Sequence, residues 1–191
     1  AGKVVFASGG LPGEDVLVHL TEQKKDYARG KVIEVLKPSP DRIAPPFPPA
    51  DHMSWQHIAA DAQLRFKQHI VQTQLARLAP LTDITVAPVI AAPHPWNYRN
   101  TAHLHVQGDC IGYYAAGTHE VVDLSYDPLL LPHLNHALAT LRPLLKQGSG
   151  SIERVTLRGS EAKGTVAAVV YGKGNLLQLL QAWQAQTPEL T

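Results

Sequence analysis

Six prolines fall within the fourteen residues KPSPDRIAPPFPPA, from Lys37 to Ala50. Proline fixes its own φ, lacks the amide hydrogen that helices and central strands use, and drives the residue before it into extended backbone. The segment therefore has to be an extended connection between two folded parts. A boundary is expected near residue 40, with a small module over residues 1–40 and a larger domain over residues 41–191.

Ahead of the prolines, residues 1 to 36 read as strands. KVVF is followed by a turn at SGGLPGE and by DVLVHL, in which Val16, Val18 and Leu20 alternate with Asp15, Leu17 and His19; KVIEVL is a further alternating strand. A small antiparallel module is expected. The polar stretch TEQKKDYARG between the last two strands carries Lys24, Lys25 and Arg29 around Tyr27. Cations interleaved with an aromatic ring suit a nucleic-acid backbone and a stacked base, and equally suit a solvated hairpin tip.

Behind the prolines the period changes. Ser54 is placed to cap a long helix in which Ile58, Ala62, Phe66, Ile70 and Leu78 recur at helical spacing, joined by Leu64, Val71 and Leu75. So wide a stripe predicts a well-buried helix, ending before Pro80, with Arg65, Lys67, His69 and Arg77 facing solvent or a partner. In YRNTAHLHV the apolar set Tyr98, Ala102, Leu104 and Val106 alternates with Arg99, Thr101, His103 and His105, so one face is core and the other a row of polar groups. CIGYY and HEVVDL make two further antiparallel strands. A leucine-rich helix follows from Pro132 to Leu145, then a flexible QGSGS linker over Gln147–Ser151. IERVTLR and GTVAAVVYG form a last hairpin, and LLQLLQAWQA a closing helix. The fold class expected is α+β, a small antiparallel module followed by antiparallel strands packed with helices.

Composition excludes several classes. The 191 residues are 45% hydrophobic with a formal net charge of +1, which is ordinary for a globular chain. No apolar run approaches the roughly 20 residues of a membrane span, so a cytoplasmic protein with no membrane partner is expected. The chain starts at Ala1 without methionine and reads as an incomplete piece. Its single cysteine, Cys110, excludes an internal disulfide and any cysteine-built metal site, and reads as a small packed residue. There is no Walker loop, GxGxxG, GxSxG or HExxH. Asp51, His52 and His57 are weighed as zinc ligands and set aside, because one histidine falls in a loop and the other on a helical turn.

In chain order, GLPGEDV, YARGKVIEVLKPSPDRI, WQHIAADAQLRFKQHIVQTQL, PWNYRNTAHLHV, IGYYAAGTHEVVDL and DPLLLP resemble the N-terminal part of the RNA uracil-5-methyltransferase family, the TrmA/RumA type. The resemblance covers nearly the whole chain. It implies later strands of an RNA-binding TRAM barrel over residues 1–40 and a central α+β domain that grips folded RNA. S-adenosylmethionine, the nucleophilic cysteine and the general base would belong to a catalytic domain beyond this chain, so the chain alone would not methylate.

Members of one type hold a [4Fe–4S] cluster on four cysteines. Anchored on Trp55-Gln56-His57, those positions fall here on Phe47 (or Ala44 with an unshortened loop), Ala50 and Met53, and the fourth falls on Asp127 before Pro128-Leu129-Leu130. None is cysteine, so the cluster is expected to be absent, with Phe47 and Met53 packed inward and His52 exposed.

The resemblance also names RNA contacts. Tyr98-Arg99-Asn100 matches a segment in which the arginine meets phosphate, and His103 stands where the family tends to carry a second arginine. A guanidinium binds phosphate bidentately, which makes Arg99 the first candidate; its alternative is an ion pair with the strand of Glu120 and Asp123. Lys24, Lys25, Arg65 and Lys67 complete the candidate RNA-binding set. The partner expected is structured RNA, ribosomal or transfer, and not DNA. A stand-alone RNA- or protein-binding module on the same scaffold is the other reading.

Overall fold

In the computed structural model, residues 3–78, 83–146 and 151–191 are described. The expected stop at Pro80 and residues 147–150 of the expected linker lie outside them. The chain divides into two units, Ala1–Ala91 and Ala92–Thr191. The expected boundary near residue 40 is crossed by an ion pair. Glu14, with no exposed side-chain surface, receives Arg42 Nη2 at 2.7 Å on Oε2 and Arg42 Nε on Oε1. The same carboxylate accepts the N–H groups of Leu11 at 2.9 Å and Ser39 at 3.1 Å. The proline-rich connection is thereby tied to the strands it follows.

In the first unit, β1 (Val4–Ser8), β2 (Asp15–Gln23) and β3 (Tyr27–Lys37) form a sheet in the order β1-β3-β2. The antiparallel pairing expected holds for β2 and β3. β1 instead runs parallel to β3, from Val4 beside Tyr27 to Ser8 beside Lys31. Parallel neighbours need a return between them, and β2 supplies it. The polar stretch is also shorter than expected: Thr21–Gln23 belong to β2 and Tyr27–Gly30 to β3, so only Lys24, Lys25 and Asp26 make the turn. Gly30 is required by the close approach of β2, since a Cβ there would lie 2.5 Å from the His19 carbonyl oxygen.

After a 3-10 turn at Asp51–Met53, α1 runs over Ala60–Leu78. Ser54 ends the short turn and does not cap α1. Between them Ile58 bridges to Arg42 and the Ala59 N–H reaches the Asp41 carbonyl at 2.9 Å, which holds the backbone out of the helix until Ala60. The expected burial of α1 is corrected too. Ala62 is buried beside Leu11 and Ile58, with Phe66 partly so, but Ile70, Val71 and Leu78 are exposed. What lies along α1 there is an extended segment held by polar groups: Gln68 Nε2 donates to the Val86 carbonyl at 2.7 Å and Gln72 Nε2 to that of Ile84 at 2.6 Å.

In the second unit, β4 (Thr101–Gln107), β5 (Cys110–Tyr114), β6 (Val121–Asp123), β7 (Ser151–Ser160) and β8 (Thr165–Lys173) form one antiparallel sheet, ordered β6-β5-β4-β7-β8. The three-strand set and the last hairpin are therefore continuous, joined by β4 and β7 in the register Ala102 to Leu157 and Leu104 to Val155. One face packs on α2 (Pro132–Leu141) and α3 (Leu177–Gln186). α2 opens with Pro132 at its first turn, where the missing N–H costs nothing, and buries Leu134, Ala137, Leu138 and Leu141. Its last part continues as a 3-10 turn over Arg142–Lys146. Trp183 of α3 is buried against it and donates from Nε1 to the Ala137 carbonyl at 3.0 Å. The fold is α+β. Among the described residues no helix is long and apolar enough to cross a membrane.

Candidate nucleic-acid interface

The period-two alternation of β4 and β7 decides what the second unit displays. Ala102, Leu104, Val155 and Leu157 point to the helices and are buried. Their neighbours in sequence point the other way. The cross-strand rows on that open face are His105–Arg154–Tyr171, His103–Thr156–Val169 and Thr101–Arg158–Ala167. A register shift between Ile152 and Arg154 brings Arg154 onto this face.

The first row continues beyond β4. Tyr114 of β5 stacks on His105 with ring centroids 3.8 Å apart and planes 19° from parallel, and His119 meets Tyr114 edge-on at 5.3 Å. At the other end the Arg154 guanidinium lies 4.0 Å from the Tyr171 ring centroid. Burial, then the positive charge of Arg154 and the neighbouring His119 and His103, hold the His105 imidazole below its ordinary pKa. His103 is exposed, with Nδ1 3.0 Å from the Thr156 hydroxyl.

On the core side of β5, Tyr113 reaches Asp127. Its hydroxyl donates to Asp127 Oδ2 at 2.9 Å, and the Leu129 N–H donates to Oδ1 at 2.9 Å. Asn135 closes the loop from α2, accepting the Asp127 N–H and donating to its carbonyl, both at 2.9 Å. Burial first, and then the Asp127 charge, push the Tyr113 hydroxyl well above its usual pKa; a hydrogen bond from Arg99 opposes them. Asp127 itself is fully buried.

The residues expected to meet RNA are thus placed unequally. Arg99 is half-buried against Tyr113, and pairs with neither Glu120 nor Asp123; its backbone is fixed between Leu129 and Leu131, by an N–H donated to the Leu129 carbonyl at 2.7 Å. Tyr98 is 55% exposed, and Asn100 is exposed with its carbonyl on the Gly159 N–H. With His103, these make one neighbourhood at the start of β4.

Lys24 and Lys25 are exposed at the β2–β3 turn, Lys24 within 3.2 Å of Glu22. Beside them is a shallow groove lined by Phe6, Ser8, Thr21, Arg29, Gly30 and Lys31, where Phe6 meets Tyr27 edge-on. Arg65 is held by Asp61 and, at 2.6 Å, by Asp41, while Lys67 is exposed on α1.

The positions that the resemblance sets against cluster cysteines are each occupied by a side chain that is not a thiolate. Met53 is buried, Phe47 is half-buried, and Asp127 spends its oxygens on Leu129 and Tyr113. His52 is half-buried, not exposed as expected. None of these side chains offers a thiolate, so no iron–sulfur chemistry is assigned to the chain. Among the described residues no three His, Cys, Asp or Glu side chains gather as a metal-holding group.

Sequence reading passed over Arg154, Tyr171 and His119. The signal was present in IERVTLR, where Arg154, Thr156 and Arg158 alternate with Val155 and Leu157. What the local pattern lacks is the partner strand, and only the β4–β7 register sets His105 beside Arg154.

No family model matches the sequence. The chain is 34% identical, over its full length and 46% of the relative's, to an uncharacterised RNA methyltransferase of Nostoc sp.. It is 37% identical to one of Thermosynechococcus vestitus over 75% of this chain and 34% of that one. A 23S rRNA (uracil(1939)-C(5))-methyltransferase of Methylococcus capsulatus is 32% identical over 76% of this chain and 34% of its own. Among solved structures, a tRNA (uracil-54, C5)-methyltransferase of Pyrococcus abyssi, in complex with S-adenosyl-L-homocysteine, shares the fold. It superposes with a TM-score of 0.69 at 19% identity, over 93% of this chain and 44% of that one.

The homologues of this α+β chain are therefore RNA methyltransferases. The Methylococcus relative is named for a reaction at uracil C5, and so is the structural neighbour from Pyrococcus abyssi. The chain spans less than half the length of the curated relatives it matches.

Proposed function

We propose that this chain is the RNA-recognition portion of an S-adenosylmethionine-dependent RNA uracil-5-methyltransferase acting on ribosomal or transfer RNA in the cytoplasm, and that it is not catalytic by itself. The observation that carries the reading is the full-length alignment to an RNA methyltransferase of which the chain makes up less than half. S-adenosylmethionine, the nucleophile and the general base are then supplied by the remainder of a full-length enzyme. Residues 1–40 act as TRAM-like strands, and residues 41–191 as the part that grips folded RNA. Tyr98, Asn100 and His103, with the exposed Lys24, Lys25 and Lys67, are the RNA contacts; Arg99, engaged with Tyr113, holds their strand in place. The net charge of +1 favours the second reading, a stand-alone RNA- or protein-binding module.

Radiolabelled S-adenosylmethionine incubated with the chain and bulk ribosomal and transfer RNA tests this. The expected result is no methyl incorporation, with the same RNA retained by the protein on a filter at low salt. Methyl incorporation would overturn the non-catalytic assignment, and absence of retention would overturn RNA recognition and leave a protein-binding role.

A further inference from the structure

Of the proposed contacts at the start of β4 only His103 lies in a cross-strand row of the open face of the five-stranded sheet, and the rest of that face is left unused. Five side chains cross it in one row, His119, Tyr114, His105, Arg154 and Tyr171, four rings with one guanidinium between the last two. The outer members are accessible: Tyr114 is 40% and Tyr171 45% exposed. A protein of this size normally places so many rings in its core or pairs them at an interface.

Arg154 and Arg158 have no carboxylate partner among the described residues, while the nearby Glu153 and Asp123 are neutralised by Lys173 at 2.7 Å and Arg142 at 2.6 Å. The row runs from β5 to β8, three strand spacings, which at ~4.8 Å each is about 14 Å. Four strands of a sheet presenting rings over such a width accommodate two or three unstacked bases, and the guanidinium between the rings sits where the connecting phosphates would pass.

We propose that this face is a base-stacking surface for a single-stranded segment of RNA, with Tyr114 and Tyr171 as the stacking rings and Arg154 and Arg158 as the phosphate contacts. The inference rests on the RNA-recognition reading and deepens it, naming unpaired nucleotides as what the second unit takes. Rings interleaved with arginine fit this better than an acidic peptide, for which the tyrosines would have no use. Arg154 on β7 already covers one face of the Tyr171 ring at 4.0 Å, so a base stacks on the ring's other face, with the cation held against the ring beneath it.

The test uses the full chain and two fluorescein-labelled probes, a uridine-rich single-stranded RNA dodecamer and an unfractionated transfer RNA, read by anisotropy at low salt. Losing one base–aromatic stack, Tyr171→Ala and Tyr114→Ala are each expected to weaken dodecamer binding roughly tenfold. Tyr171→Phe, which keeps the ring, should bind as the parent chain does. Equal binding by the parent and both alanine variants would overturn the stacking surface while leaving RNA recognition standing. Failure of the parent chain to bind either probe would remove both.

If an alanine variant loses its cooperative melting transition, photocrosslinking of the parent chain to a 5-iodouridine-substituted dodecamer decides instead. Crosslinks in the peptides around Tyr114 or Tyr171 support the surface, and crosslinks confined to other peptides overturn it.

Discussion

The Tyr113 hydroxyl stands 2.9 Å from Asp127 Oδ2, so that a strand from the sheet and the loop leading into α2 meet at one buried carboxylate. The carboxylate accepts both the Tyr113 hydroxyl and the Leu129 N–H. Replacing Asp127 with alanine removes the acceptor that both donors share, at about 1–3 kcal/mol each. Asp127→Ala is expected to destabilise the chain by about 3 kcal/mol in urea unfolding. Tyr113→Phe, which removes only the hydroxyl, should cost about 1 kcal/mol.

The Glu14–Arg42 pair carries a pH dependence. The Arg42 hydrogen bonds, offset by burial, hold the Glu14 carboxyl at about 2, against an ordinary value of 4.5. A depressed carboxyl stabilises the fold fully above the ordinary value, and that stabilisation is lost as pH falls from 4.5 through 2. Arg42→Ala is expected to cost about 3 kcal/mol at pH 7, and the gap between variant and parent should close toward pH 2 in urea titrations at stepped pH.

His105 moves in the opposite sense to a histidine that gains an acidic partner. Burial and then the charges of Arg154, His119 and His103 keep its folded pKa below 6.5. The unfolded chain then binds more protons in that window, so the His105 contribution to stability is full above 6.5 and falls as pH drops below it. An NMR titration of the His105 ring proton should give a midpoint below 6.5, and Arg154→Ala should raise it.

The core of the second unit gives a plainer expectation. Leu138 is fully buried on α2 between the sheet and α3, and Leu138→Ala should destabilise by about 3 kcal/mol, read by thermal or urea unfolding.

How legible all this was depended on range. The strands and helices of the second unit were readable because Ala102, Leu104, Val155 and Leu157 alternate strictly with polar neighbours, and because Pro132 marks where α2 starts. The β4–β7 pairing was not, since no local pattern states which strand lies beside which. The same gap hid the row from His119 to Tyr171, whose members come from three separate stretches of sequence. In the first unit the apolar stripe of α1 was real, yet Ile70, Val71 and Leu78 are exposed, because periodicity records what could be buried and not what is present to cover it. The prolines marked an extended connection, but Glu14 and Arg42, far apart in sequence, decided which folded part it joined. Asp127 was legible only as a missing cysteine, and its role as a carboxylate hub required Tyr113 and Asn135 to be in place.

RNA recognition is tested most directly by the salt dependence of binding to a structured transfer or ribosomal RNA hairpin. With three or four phosphates contacted, the logarithm of the association constant is expected to fall linearly with the logarithm of salt concentration, with a slope of about −3. Lys24→Ala with Lys25→Ala should reduce the slope by about 2 if both lysines meet phosphate. Binding that is undetectable at low salt, or that does not change with salt, would contradict the assignment of this chain to RNA recognition.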